Sequence, residues 1–302
     1  MKCIVFLLTV VPLSIYGQFG PKGAYFKNKN AVIYYEIYGT GDPVLVMNGG
    51  PGFSSKHMRG FAEELSKKGH EVILFDQRGT GNSTVPQMDS LTITFDLVLS
   101  DAAELIKKLH YKSVTVLGHS FGGILAMGFA AKFPGMVSKL VLCAPAGINL
   151  EFLDYFGDNI FQRLQNVPAD SAKGAVTQQE RENAFYNQLK RNAPAYFYNK
   201  ENVPVFINML TVAGSYNPDY NLLMWTDLFK INYNLSGKFR VFKKPTLIIQ
   251  GRQDILGDET AIRINQAIGG SKLVFINRCG HVPWMDAPAD FFSELEKILG
   301  HK

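Results

Sequence analysis

The chain has 302 residues, 46% of them hydrophobic and 19% charged, which suits one large folded domain, or one domain with an inserted lobe, and excludes a disordered polymer. Its net charge of +5 is spread along the sequence without a long basic block, so no nucleic-acid partner is expected.

Residues 1–17 read as a secretory signal peptide: Lys2 precedes the apolar run from Ile4 to Val11, Pro12 interrupts it, and small Gly17 offers a cleavage point. The run is too short to span a bilayer comfortably, so an exported protein, periplasmic or secreted, without stable membrane insertion is expected. Cys3 lies too close to the start to be a lipid-attachment site after a full leader. Cys143 and Cys279 then remain. An oxidising compartment permits a disulfide between them, but buried free thiols are the expectation, and two cysteines alone make no metal site.

Ala31 to Tyr38 alternates like a strand, and Gly39 to Pro43 reads as a turn, so a hairpin is expected at the sheet's N-terminal edge. Val44 to Met47 is a buried strand running into Asn48-Gly49-Gly50-Pro51-Gly52, with a helix expected over Lys56 to Lys68. Glu71 to Phe75 is the next strand and ends in the polar loop Asp76-Gln77-Arg78-Gly79-Thr80-Gly81-Asn82-Ser83. Thr92 to Leu109 carries a helical apolar stripe. The run 113–117 is a strand, Gly118-His119-Ser120-Phe121-Gly122 a turn, and Ile124 to Ala131 a helix. Lys139 to Cys143 is another strand.

The strand rhythm then stops. Residues 149–237 are rich in aromatics and amides, and Gln178 to Lys190 reads as helix. They are expected to form a helical cap inserted between core segments 18–148 and 238–302. The rhythm resumes with a strand at 246–250, Gly251-Arg252-Gln253-Asp254, a helix near 259–268, a strand at 272–276, Cys279-Gly280-His281, and a closing helix near 289–299. Alternating strands and helices imply an α/β fold, a mostly parallel sheet covered on both faces. Ligands bind such sheets beyond the C-terminal strand ends, where each polar motif falls.

Gly118-x-Ser120-x-Gly122 between a buried strand and an apolar helix has the setting of a nucleophile elbow. A serine hydroxyl needs a base, and the base an orienting acid. Of the six histidines, His281 follows the last strand in a Gly-containing loop, whereas His301 is penultimate and the side chain of His119 should diverge from that of Ser120. Asp254 follows a strand end and suits the acid; its rival Asp258 is explained as a helix N-cap. The oxyanion donors are expected to be the Phe121 amide and an amide of the Gly49-Gly50 turn, chiefly Gly50. Asp76 and Arg78 could shape the pocket or pair with each other; a structural loop network is the expected role.

These motifs, in this order, resemble the α/β-hydrolases. Gly49-Gly50-Pro51-Gly52 and Asp76-Gln77-Arg78-Gly79-x-Gly81-x-Ser83 make the chain similar to their proline iminopeptidase branch from about residue 30 onward, except across the cap. The resemblance implies the α/β-hydrolase fold, a helical cap between the sixth and seventh core strands, no cofactor, and release of an N-terminal residue, typically proline, from a short peptide. It departs in two ways. The family turn usually begins with His, where this chain has Asn48. Family members hold the substrate's amine with cap acids, and Glu151, Asp154, Asp158, Asp170, Glu180, Glu182, Glu201, Asp219 and Asp227 stand in no matching motif. A carboxylic-ester or other small-molecule hydrolase on the same Ser120–His281–Asp254 triad is the alternative, and a non-catalytic binding protein a third reading.

Overall fold

The structure is a computed structural model that describes residues 21–164, 177–212 and 216–300. The signal segment 1–17, the cap acid Asp170 and His301 lie outside the described residues. Within them, eight strands form one sheet. They are β1 (Lys22–Asn28), β2 (Ala31–Tyr38), β3 (Asp42–Met47), β4 (His70–Phe75), β5 (Val114–Ser120), β6 (Val137–Pro145), β7 (Thr246–Gly251) and β8 (Lys272–Ile276). Their order is β1-β2-β4-β3-β5-β6-β7-β8. Pairing is antiparallel for β1/β2 and β2/β4 and parallel from β4 to β8.

The hairpin at the N-terminal edge is therefore β1–β2, not β2 with the strand that follows it. β4 lies between β2 and β3. The reason is burial. Val44 to Met47 is an unbroken buried run, and such a strand needs a partner on each side and cover on each face. It pairs in parallel with β4 and β5.

Side chains alternate across the sheet. Leu45, Met47, Ile73 and Val116 join a core with α2 (Phe95–Lys108), α3 (Phe121–Lys132) and α8 (Gly257–Ala267). Val44, Val46, Val72 and Leu117 pack the other way, against α1 (Arg59–Lys67) and α10 (Pro288–Leu299). α3 is buried all round from Phe121 to Ala130, as a helix enclosed by its neighbours must be.

Between β6 and β7 the chain forms α4 (Phe152–Arg163), α5 (Gln178–Tyr196), α6 (Asn202–Val212) and α7 (Pro218–Lys230). This helical insertion has a small core of its own, in which Leu189, Phe206 and Tyr216 meet Phe53 and Val282. The short helix α9 (Pro283–Asp286) follows β8 and carries Trp284 toward the insertion. Among the described residues no helix is long and apolar enough to cross a membrane.

Two loop residues depart from a mutual pairing. Arg78 makes a two-pronged ion pair with Asp101 of α2, Nε to Oδ2 and Nη2 to Oδ1 both at 2.7 Å, and donates to the Thr92 carbonyl. Asp76 instead accepts from the Ser55 amide and hydroxyl and from the Asn82 amide. Both act as loop braces. A guanidinium with no solvent access needs a carboxylate of matching geometry, and Asp76 is already filled by donors from Ser55 and Asn82.

Candidate active site

Ser120 ends β5 and leads directly into α3. Its backbone has φ +55°, a conformation that costs a non-glycine residue about 1–3 kcal/mol and persists only where the surroundings enforce it. The enforcement is visible at Gly122, where an added Cβ would lie 1.9 Å from the Met47 carbonyl oxygen. β3 and α3 thus pack backbone to backbone, and the turn between β5 and α3 has no room to relax.

Two other strand ends supply the partners. The Ser120 hydroxyl lies 2.9 Å from His281 Nε2, and His281 Nδ1 donates to Asp254 Oδ1 at 2.9 Å. Asp254 Oδ1 also accepts from the Leu256 amide. Asp254 is 1% exposed and His281 5%, so the pair is shielded while the hydroxyl faces the cavity. The His281 amide donates to the Tyr196 carbonyl at the end of α5, and Arg163 donates to the Asp254 carbonyl. The three residues expected from the sequence are thus brought into hydrogen-bond contact. Asp258, the rival acid, is neither in this chain nor an N-cap; it lies inside α8 and pairs with Arg252.

Gly50, at φ +65° in the turn after β3, and Phe121, first residue of α3, both border the cavity beside Ser120. His119 does diverge from Ser120, but not away from the site. Its Nε2 donates to the His281 carbonyl at 2.9 Å, and its ring packs edge-on against Trp284. Burial, then the neighbouring His281, hold its imidazole well below the usual histidine range. His57 is a second neutral imidazole on the cavity wall: Nδ1 donates to the Ser54 carbonyl, and burial depresses it to about 4.

The cavity encloses about 270 Å³, near the lower end for small-molecule sites. One wall is Phe53 with Phe185 and Tyr216, whose rings stack at 3.6 Å. A second is Trp225 set against Phe121 and Phe152. A third is Tyr196 beside Phe206 and His281. Leu153, Phe156, Leu189, Met209 and Leu210 add to the lining, as do Trp284 and the polar Asn221. Among the described residues no carboxylate lines it. Glu151 pairs with Arg263 and Asp219 with Arg181 at the surface, while Asp227 accepts from the Phe95 amide. Cys143 and Cys279 are free, buried thiols outside the cavity.

The sequence profile of the α/β-hydrolase fold matches residues 42–288. The chain belongs to the α/β-hydrolase fold family. It is a hydrolase. A proline iminopeptidase of Thermoplasma volcanium is 25% identical over 280 residues, spanning 87% of this chain and 91% of that protein. The 2-hydroxy-6-oxo-2,4-heptadienoate hydrolase of Pseudomonas putida is 26% identical over 256 residues, spanning 80% and 83%. Among solved structures, an esterase of Exiguobacterium antarcticum superposes with a TM-score of 0.71 at 21% identity, covering 92% of this hydrolase and 99% of the esterase.

Several site residues were not legible in the sequence of the hydrolase. His57 and Trp284 carry no motif, and the insertion's aromatics have no periodicity that separates wall from core. The one available signal was the density of aromatics in residues 149–237.

Proposed function

We propose that this hydrolase is a serine acyl-transfer enzyme whose preferred substrates are small, uncharged carboxylic esters or related acyl compounds with an apolar acyl part. Ser120 Oγ attacks the substrate carbonyl carbon while His281 Nε2 takes the hydroxyl proton. Asp254 holds the imidazole in the correct tautomer and stabilises the imidazolium. The oxyanion docks on the Phe121 and Gly50 amides. Collapse breaks the bond to the leaving group, which departs with the proton from His281. Water then attacks the acyl-enzyme, giving its proton to the same nitrogen; collapse breaks the bond between Ser120 Oγ and the acyl carbon, His281 returns the proton to Oγ, and the carboxylic acid leaves.

The observation that carries the substrate class is the apolar, aromatic wall of the cavity into which Ser120 opens. A protonated amine lodged there without a carboxylate would lose its hydration and gain no counter-charge, which is strongly unfavourable.

A second reading, release of N-terminal residues from peptides, is favoured by the proline iminopeptidase of Thermoplasma volcanium. It requires an acid at the cavity from beyond its described lining. The deciding experiment is steady-state hydrolysis of p-nitrophenyl butyrate beside proline p-nitroanilide, the latter with and without N-acetylation. Ester turnover without arylamide cleavage supports the acyl-ester reading. Cleavage of the free-amine proline substrate alone would replace it with the aminopeptidase reading.

A further inference from the structure

Gly49 and Gly50 leave their amides open to a ligand, but glycine also holds its own backbone position least well. An oxyanion donor displaced by about 1 Å loses most of its effect. Something outside the turn must therefore fix it, and the hydrogen bonds around it lead to the helical insertion.

Tyr220 of α7, fully buried, donates its hydroxyl to Gln77 Oε1. That bond turns the Gln77 amide so that Nε2 faces Asn48, donating to its carbonyl and its Oδ1, both at 3.3 Å. Asn48 Nδ2 in turn donates to the Gly49 and Phe53 carbonyls, at 3.2 and 3.3 Å. Each amide in the chain has one orientation that satisfies both neighbours. Burial pushes the Tyr220 phenol well above its ordinary value, so it remains a donor. A second tie runs beside it. Asn221 Nδ2 donates to the Pro51 carbonyl at 2.9 Å, and the Asn217 amide donates to the Gly52 carbonyl at 2.8 Å. The side chain of Asn217 meanwhile caps α7. The first turn of α7 thus grips successive carbonyls of the Gly-rich loop, from both its ends.

We propose that α7 of the insertion is part of the catalytic apparatus: Tyr220, through Gln77 and Asn48, and Asn221, directly on Pro51, are positioning residues that hold the Gly50 amide where the oxyanion forms. This rests on Ser120 being the nucleophile, as in the preceding reading, but not on the substrate class. It also gives Asn48 a task where a histidine is usual: its two-ended amide passes the hold on the turn back to Gln77 and so to the insertion, without titrating.

The test is the rate at which a short alkyl fluorophosphonate phosphonylates Ser120, since its P–O oxygen needs the same amides and no ester or peptide need be a substrate. Wild type, Tyr220→Phe, Asn48→Ala, their double variant and Asn221→Ala are compared, with melting curves for each. Tyr220→Phe and Asn221→Ala should each slow labelling about tenfold, a fraction of the loss on deleting a donor outright. On whichever of p-nitrophenyl butyrate or proline p-nitroanilide the wild type cleaves, each should lower kcat with KM changed less than about twofold. The double variant should label no slower than Asn48→Ala alone, because one chain is being cut twice. Folded Tyr220→Phe or Asn221→Ala that labels at the wild-type rate would overturn the proposal, as would multiplying effects in the double variant. Asn221 is half-buried, so its variant decides the matter if the core changes fail to fold. Wild type that does not label at Ser120 would instead overturn the nucleophile assignment, and this proposal with it.

Discussion

His119 and His281 are joined by a hydrogen bond from the His119 ring to the His281 backbone carbonyl, at 2.9 Å. The residue before Ser120 thereby anchors the loop that carries its partner imidazole. The proton must sit on His119 Nε2, because a carbonyl only accepts, and the remaining Nδ1 is buried without a hydrogen-bond partner among the described residues. Two strand ends far apart in sequence are set in register by that contact. His119→Ala should lower kcat about tenfold with little change in KM, and His119→Gln, which keeps a donor on a side chain of similar reach, should recover part of the loss. Steady-state kinetics on purified, folded variants check this; equal rates for all three proteins would mean that the contact positions nothing.

Two imidazoles make the fold sensitive to acid. His57 is depressed from 6.5 to about 4 by burial, and His119 is held well below its ordinary value for the same reason. Both bind protons more readily in the unfolded chain. Stability therefore falls as pH drops below about 6.5, and the loss from His57 stops growing below about pH 4, where the folded form also takes the proton. The His57 share should reach about 3 kcal/mol. Urea melts at stepped pH would show the slope, and His57→Gln should flatten it; a stability that is constant across this window would contradict the burial of both rings.

The Arg78–Asp101 pair is wholly buried. Asp101 also accepts from Asn28 Nδ2 at 2.8 Å, tying α2 to β1. Asp101→Ala leaves a guanidinium in the core without its counter-ion, and should cost about 3–5 kcal/mol. Thermal or urea unfolding measures it. A loss below about 1 kcal/mol, the range of surface pairs, would show that the pair is solvated.

Gly49 sits so close to Ser120 that an added Cβ would lie 2.8 Å from Ser120 Cβ and 2.9 Å from the His119 carbonyl oxygen. Gly49→Ala should therefore lower kcat/KM by about a hundredfold or more, the scale of losing an oxyanion donor, because the turn can relieve the clash only by moving away from Ser120. Activity close to wild type in that variant would place the turn elsewhere.

The meeting of Ser120, Asp254 and His281 was legible because short motifs at strand ends carry all three. Ser120, Asp254 and His281 each follow a buried β run, and a parallel sheet delivers such ends to one edge. The core elements were legible for the same reason: 272–276 matches β8, and the apolar stripe within 92–109 contains α2. Pairing across the sheet was not. β2 alternates as an edge strand would, but nothing local told that β4 would intervene before β3. β1 was not recognised at all; Lys22–Asn28 has mixed polarity and gains its order from β2. Arg78 found its partner on α2 because burial, not sequence proximity, selected it. The insertion was legible as helical and aromatic, yet the links from Tyr220 and Asn221 to the Gly-rich turn depend on which face of α7 meets the core, and a helix buried unevenly along its length gives no such signal.

The proposed acyl transfer makes Ser120, activated by His281, the nucleophile. The most direct measurement compares wild type with Ser120→Ala on p-nitrophenyl butyrate and proline p-nitroanilide, with circular dichroism to confirm the fold and fluorophosphonate labelling followed by mass spectrometry. The expected result is label on Ser120 of the wild type only, and turnover of the cleaved substrate reduced at least about a thousandfold in the variant, since a triad acts as a unit. A folded Ser120→Ala protein that keeps near-normal turnover would contradict the account.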